Sequence, residues 1–149
     1  MNAIAVISPL ARAAALAAGL GAGLAAATVS AAGADARPAL GEQAEIVGGL
    51  QVIATANMIR KKCPSIEARM LTAYGYMQRL KTKASRLGYP DAEIRAFVDD
   101  KAEKARVEGA ARDWLAARGV RFDEPQSYCP VGLAEIRSRT EIGRLLRTR

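Results

Sequence analysis

The sequence predicts an all-α fold, a small bundle of about four helices that follows a cleaved signal peptide. Three observations support this fold class. Apolar residues recur at three- and four-residue spacing after residue 36, strand-like alternation is absent, and proline or glycine marks the breaks between periodic segments. Cys63 and Cys129 each precede proline at such a break, so one disulfide is expected to join the starts of the second and last helices.

The N-terminal residues 1–36 have the pattern of a secretory signal peptide. Arg12 precedes an uncharged stretch, residues 13–32, that is rich in Ala, Leu and Gly. The alternative is a membrane anchor, which needs about 20 strongly apolar residues. Several glycines and many alanines make this stretch only weakly apolar, so a cleaved signal peptide is favoured.

Small residues three and one positions before the cut favour cleavage after Ala36, with Ala34 and Ala31 as alternatives. The chain then divides into a signal peptide, residues 1–36, and a helical domain, residues 37–149. That domain is predicted to be periplasmic or secreted, with no transmembrane anchor after processing. A chain of this length buries only about 65% of its unfolded surface, so a disulfide would add useful stability.

The first helix is predicted from about Glu42 to Lys61. Its inward residues are expected to be Ile46, Leu50 and Ile53. The Gly48-Gly49 pair costs about 1 kcal/mol per glycine relative to alanine. The first half of this helix is therefore expected to fray or to begin later.

The second helix has the clearest periodicity in the chain and is expected to end at Gly88. Its apolar residues are spaced alternately four and three apart, and they are Ile66, Met70, Ala73, Met77, Leu80, Ala84 and Leu87. This spacing is typical of a helix that packs nearly parallel or antiparallel to its neighbours. Burial within the chain is predicted, and a short coiled-coil dimer is the alternative.

A third helix is predicted from Pro90-Asp91 to about Arg118, with a kink or close crossing at Gly109. Its first apolar face comprises Ile94, Phe97, Val98, Ala102 and Ala105. After a polar loop, a final helical region contains Leu133 and Ile136. Thr140 is expected to cap a last short helix around Ile142.

The chemistry of the chain argues against an enzyme. The sequence contains no histidine, which removes the usual base of serine and cysteine hydrolases. Two cysteines alone do not make a zinc site, and no Cys-x-x-Cys pair indicates redox catalysis. No catalytic, metal or cofactor site is predicted, and the two cysteines are interpreted as structural.

The formal net charge of +7 favours acidic partners. A candidate basic surface lies near the C-terminus and comprises Arg137, Arg139, Arg144, Arg147 and Arg149. The leading expectation is an exported, non-enzymatic protein that binds another envelope protein or supports the envelope. The alternative is a peripheral binder of anionic membrane or polyanion surfaces through a basic C-terminal helix. No nucleic-acid partner is expected, because few aromatic residues are available for stacking.

Several stretches carry a resemblance to a known family. They are Cys63-Pro64-Ser65-Ile66-Glu67-Ala68-Arg69-Met70, Gly88 to Glu108, Tyr128-Cys129-Pro130-Val131-Gly132, Ala134-Glu135-Ile136 and Ile142-Gly143-Arg144-Leu145-Leu146. The chain resembles the small secreted proteobacterial proteins catalogued as domain of unknown function 5333. The resemblance implies a helical, signal-bearing protein and brings no activity, cofactor or catalytic residue.

Overall fold

The computed structural model describes residues 37–149. The predicted signal peptide and its cleavage sites lie outside the described residues. The elements in chain order are α1 (Ala44–Lys62), β1 (Ile66–Ala68), α2 (Met70–Arg86), α3 (Asp91–Asp99), α4 (Lys101–Ala116), α5 (Tyr128–Ser138), α6 (Glu141–Arg144) and β2 (Leu146–Thr148). Short 3-10 turns occupy Leu40–Glu42 and Pro125–Ser127. The predicted helical fold is confirmed, with one small two-stranded sheet added to it.

Helix α1 is the central element of the domain and packs against α2, α4, α5 and α6. The core forms where its C-terminal half meets α4 and the C-terminal segment. Ile59 and Leu115 are fully buried there, and Leu145 and Leu146 are 2% and 1% exposed. Burial of apolar side chains at this junction, and in a second cluster around Ile46 and Ile94, stabilises the domain.

The predicted disulfide is present, with the Cα atoms of Cys63 and Cys129 5.1 Å apart. The expected position of Cys63 at the start of the second helix is wrong, because Cys63 ends α1 and α2 begins only at Met70. The bridge therefore joins the end of α1 to the first turn of α5.

Strand β1 fills the interval between the disulfide and α2. It pairs antiparallel with β2, placing Ile66 opposite Thr148 and Ala68 opposite Leu146. Ile66 was expected on the apolar face of the second helix, and that placement is wrong. Its side chain is 1% exposed and is held in the core from an extended backbone. A three-residue strand is too short to show the alternation that identifies strands in a sequence.

The single third helix expected from the sequence is two helices. Asp100 has an extended backbone, ψ 127°, and its side chain accepts a hydrogen bond from the Glu103 backbone N–H at 2.8 Å. This N-cap starts α4 in a new direction. Helix α4 continues through Gly109, and a Cβ atom there would meet nothing within 4 Å, so the expected close crossing is absent at this position. Ala102 and Ala105 are exposed. The buried residues of α4 are Val107, Ala111 and Leu115.

The first helix begins at Ala44 and runs unbroken through both glycines. Gly49 lies against α2, because a Cβ atom there would meet the Leu80 side chain, which would have to shift. A Cβ at Gly48 would meet nothing within 4 Å. Helix α1 is thus continuous through its first half, and fraying there stays a prediction.

Two tyrosines beside the core have a raised pKa. Burial raises the pKa of Tyr76 above its ordinary value of 10.0, the Glu141 carboxylate adds to the rise, and Arg79 opposes it. Burial also raises the pKa of Tyr128, with Arg112 acting in the opposite direction. The folded domain therefore favours the neutral phenol at both positions.

We expect the domain to lose stability at alkaline pH. An acid whose pKa is raised by folding stabilises the fold fully below its unfolded pKa, and that contribution disappears as the pH rises through the folded pKa. Urea unfolding measured between about pH 9 and pH 11 should show the loss. The Tyr76→Phe and Tyr128→Phe variants should each lose less over that range. Equal pH profiles for the variants and the parent would contradict this account.

Candidate functional site

The apolar face of α2 is largely exposed. Met70 is 68% exposed, Tyr74 60% and Met77 46%. Only Ala84 of this helix is buried, and Leu87, which follows it, is 43% exposed. The prediction that this seam is buried within the chain is therefore wrong for Met70, Met77 and Leu87, whereas Ile66 and Ala84 are buried and Ala73 and Leu80 are half-buried.

The exposure follows from how the helices are arranged around α1. Helix α2 approaches α1 closely where Leu80 of α2 meets Gly49 of α1. Helix α4 packs along much of α1. The side chain of Gln51 on α1 donates a hydrogen bond to the Ala110 carbonyl of α4 at 3.1 Å. The N-terminal part of α2 is left facing α4 across an open space. The apolar side chains of α2 line this space, and no helix of the described domain fills it.

This space, the α2 groove, has a volume of about 440 Å³. Side chains of α1, α2, α3 and α4 line it, and Leu145 and Leu146 close one end. The main lining residues are Leu50, Ile53, Met70, Tyr74, Met77, Val98 and Val107. The groove is thus an apolar trough, with α1 in contact with the helices on both sides.

A second cavity of about 270 Å³ extends the α2 groove towards Leu40 and Ala84. The two cavities share Leu50, Met77, Phe97 and Val98, so their linings are continuous. The continuous groove follows α2 from Met70 to Ala84, which at 1.5 Å per residue is about 20 Å. Its length corresponds to four turns of a helix.

One end of the groove carries positive charge with no carboxylate partner among the described residues. Arg60 lines the groove, and the Arg69 backbone N–H donates to the carbonyl of Leu145, another lining residue, at 2.8 Å. Neither arginine side chain forms an ion pair within residues 37–149. We call Arg60 and Arg69 the basic end. Helix α2 also begins here, without a side-chain cap or an acidic residue in its first turn, so its N-terminal amides add positive potential.

Further along the groove both signs of charge are present. Lys104 and Glu108 line it without an ion-pair partner among the described residues. Glu103 pairs with Arg106 at 2.5 Å, which neutralises it. The middle of the groove therefore has a mixed polar rim above an apolar floor.

The sequence-predicted site residues lie elsewhere. Arg137 is on α5, Arg139 ends that helix in the left-handed conformation with φ 51°, and Arg144 is on α6. Arg147 and Arg149 approach the Glu67 carboxylate at 2.7 and 3.7 Å.

The predicted basic C-terminal helix is wrong, because residues 146–148 form strand β2. Leu145 and Leu146 are buried in the core and are not available to a surface. The predicted cap is confirmed, since the Thr140 hydroxyl accepts a hydrogen bond from the Gly143 N–H at 3.1 Å. The cap belongs to the short helix α6, which separates α5 from β2.

Sequence reasoning missed the groove as a site. Its signal was the regular seam of α2, for which a short coiled-coil dimer was the less favoured interpretation. Among residues 37–149 no group of three or more His, Cys, Asp or Glu side chains could hold a metal ion. In the same part of the chain, no helix combines the length and apolarity needed to cross a membrane.

The fold and the groove together define a small, disulfide-linked helical domain with an open apolar groove. The chain belongs to the Family of unknown function (DUF5333), whose model matches residues 38–147. The family membership predicted from the sequence is confirmed. No curated protein and no solved structure matches the chain.

Proposed function

We propose that this is an exported, non-enzymatic protein that binds another protein of the cell envelope through the α2 groove. The observation that carries the proposal is the exposure of Met70, Tyr74 and Met77 along one continuous apolar groove. A contiguous exposed apolar patch with a polar rim is typical of interaction sites, because leaving it in water is unfavourable.

Two features support export. The first is the signal-like pattern of residues 1–36, and the second is the disulfide between Cys63 and Cys129. Disulfides persist mainly in oxidising compartments such as the periplasm and the extracellular space. Because the bridge ties the end of α1 to α5, the protein benefits from folding where the bond can form.

The composition of the groove supports binding without catalysis. Its polar lining groups are Asn57, Arg60, Glu103, Lys104 and Glu108. A general acid–base site needs a group whose pKa lies near the operating pH. The sequence supplies no histidine for that purpose, and Glu103 is already paired with Arg106. An apolar floor with scattered charges suits recognition better than proton transfer.

A protein partner fits the groove because the groove is open on one side. A helix can bury one apolar face in such a trough while its polar face stays in water. Met70 and Met77 suit this role, since methionine is flexible and adapts to the shape of a partner.

Site-specific photo-crosslinking in cells tests the proposal. The photo-crosslinking amino acid p-benzoylphenylalanine is placed at Met77 in the groove or at Phe122 in the loop before α5. The two positions are matched, because each native side chain is 46% exposed. We expect a light-dependent adduct with one discrete protein at position 77 and none at position 122. Val98→Glu, which places a charge in the groove, should abolish the adduct at position 77.

Two results would contradict the proposal. One is equal crosslinking at both positions, which would indicate non-specific contact. The other is turnover of an envelope substrate by the purified protein that is lost when a single polar groove residue, such as Glu108, is replaced.

A further inference from the structure

We propose that the segment bound in the α2 groove is an amphipathic helix with acidic residues at the end that meets Arg60 and Arg69. This inference rests on the proposed function and names the chemistry of its partner. It depends on the length of the groove, the charges at its basic end and the charges of α2 itself.

The groove has the length and lining of a helix-binding site. Its continuous lining spans about 20 Å, which an α-helix of about 14 residues covers. The apolar side chains along it include two methionines, two aromatic rings, the β-branched residues Ile53, Val98 and Val107, and Leu50. A partner helix would place apolar residues at i, i+3, i+4 and i+7 against this lining.

The basic end sets the direction in which the partner lies. Arg60 and Arg69 have no carboxylate partner in the described domain, and both are exposed. Lys61 and Lys62 continue the same turn of α1, and the uncapped start of α2 lies beside Arg69. Positive charge from side chains and helix amides therefore lies at one end of the groove, whereas the lining residues further along carry both signs of charge. Carboxylates at the matching end of the partner helix would complement it.

A second copy of this chain is a poor occupant. The helix with an exposed apolar face is α2, and it contains Arg79, Lys81, Lys83 and Arg86 and no acidic residue. Two domains of formal charge +7 would bring like charges together at the interface. Like-charge contacts of this kind oppose association.

An acyl chain is also a poor occupant. An acyl chain has no polar face, so the side of it that lies outside the groove would remain in water at a free-energy cost. Glu108 lines the groove without an ion-pair partner among the described residues, and an acyl chain would offer its carboxylate no complementary charge. A helix with a polar flank can pair with both Lys104 and Glu108.

Two synthetic peptides of about 14 residues test the inference. Both carry the same leucine face, and one ends in three glutamates whereas the other ends in three lysines. Fluorescence anisotropy with the purified, disulfide-intact protein gives the two dissociation constants. We expect the glutamate peptide to bind about tenfold more tightly at low salt, since two or three partly exposed ion pairs supply that factor. The preference should shrink as added salt screens the charges.

Charge reversal at the basic end provides the specific variant. Arg60→Glu combined with Arg69→Glu should reverse the preference between the two peptides. The matched control combines Arg86→Glu with Arg137→Glu. It changes the formal charge by the same amount, both of its residues lie in the last turn of a helix, and neither lines the groove. The control should keep the preference for the glutamate peptide.

The outcomes separate this inference from the proposed function. Equal binding of both peptides, or an unchanged preference in the Arg60→Glu and Arg69→Glu variant, would overturn the inference and leave groove binding intact. Binding of neither peptide together with no crosslink at Met77 would overturn both. A concentration-dependent dimer that Met77→Glu abolishes would assign the groove to a second copy. Retention on anionic vesicles that Met77→Glu abolishes would assign it to lipid. Either result would overturn the inference.

Discussion

Replacing Cys63 and Cys129 by serine should lower the free energy of unfolding by about 4 kcal/mol. The bridge joins residues 66 positions apart, so its loss releases a long loop of the unfolded chain from constraint. For a domain of this size the melting temperature should fall by about 15 °C. Urea and thermal unfolding of the parent and the double variant measure both quantities.

The reduced parent protein is the matched control for the disulfide. It should unfold at nearly the same urea concentration as the double serine variant, because both lack the same constraint. Thiol labelling of the unreduced, denatured parent should find no free cysteine. Labelling at both positions, or a double variant as stable as the oxidised parent, would contradict the structural role of the bridge.

Gly143→Ala should destabilise the domain by about 3 kcal/mol, the upper part of the usual range for overpacking. A Cβ atom at this position would lie 1.9 Å from the Glu135 carbonyl oxygen and 2.8 Å from the Ile136 nitrogen. Both are backbone atoms of α5 and cannot move aside as a side chain would. Helix α6 would have to separate from α5, carrying the buried Ile142 and Leu145 with it.

Gly109→Ala is the matched control for this prediction. Gly109 lies inside α4, and a Cβ atom there would meet nothing within 4 Å. Alanine should therefore stabilise the domain by up to about 1 kcal/mol through its higher helix propensity. Urea unfolding of the two variants side by side measures the difference. Similar stabilities for both would show that the contact between α5 and α6 is not as close as the structure indicates.

Local signals in the sequence were sufficient for several elements. Gly88 has the positive φ of 89° that its place after the second helix predicted. Thr140 caps the last short helix, and Cys63 and Cys129 are bridged. Each of these depends on one residue's own conformational preference or chemistry. Neighbouring residues were enough to identify them.

The break at Asp100 was missed although the sequence holds a local signal for it. Asp100 and Lys104 have the spacing of a surface ion pair on a continuous helix, but the Asp100 side chain caps α4 instead. Asp100 is followed three residues later by Glu103, which is a pattern typical of a helix N-terminus. The apolar periodicity on both sides of Asp100 favoured one continuous helix over this signal.

The candidate site could not be predicted from the sequence. The spacing of apolar residues identified α2 as an amphipathic helix, but spacing does not say whether another part of the same chain covers that face. Coverage depends on where α4 and the C-terminal strand pack, and these contacts join residues far apart in the chain. The sequence by itself determined the helical class, the Thr140 cap and the disulfide, because these follow from local preferences and chemistry. Only the tertiary structure decided that an open apolar groove remains along α2, because contacts between residues far apart in the chain determine which helices cover α1.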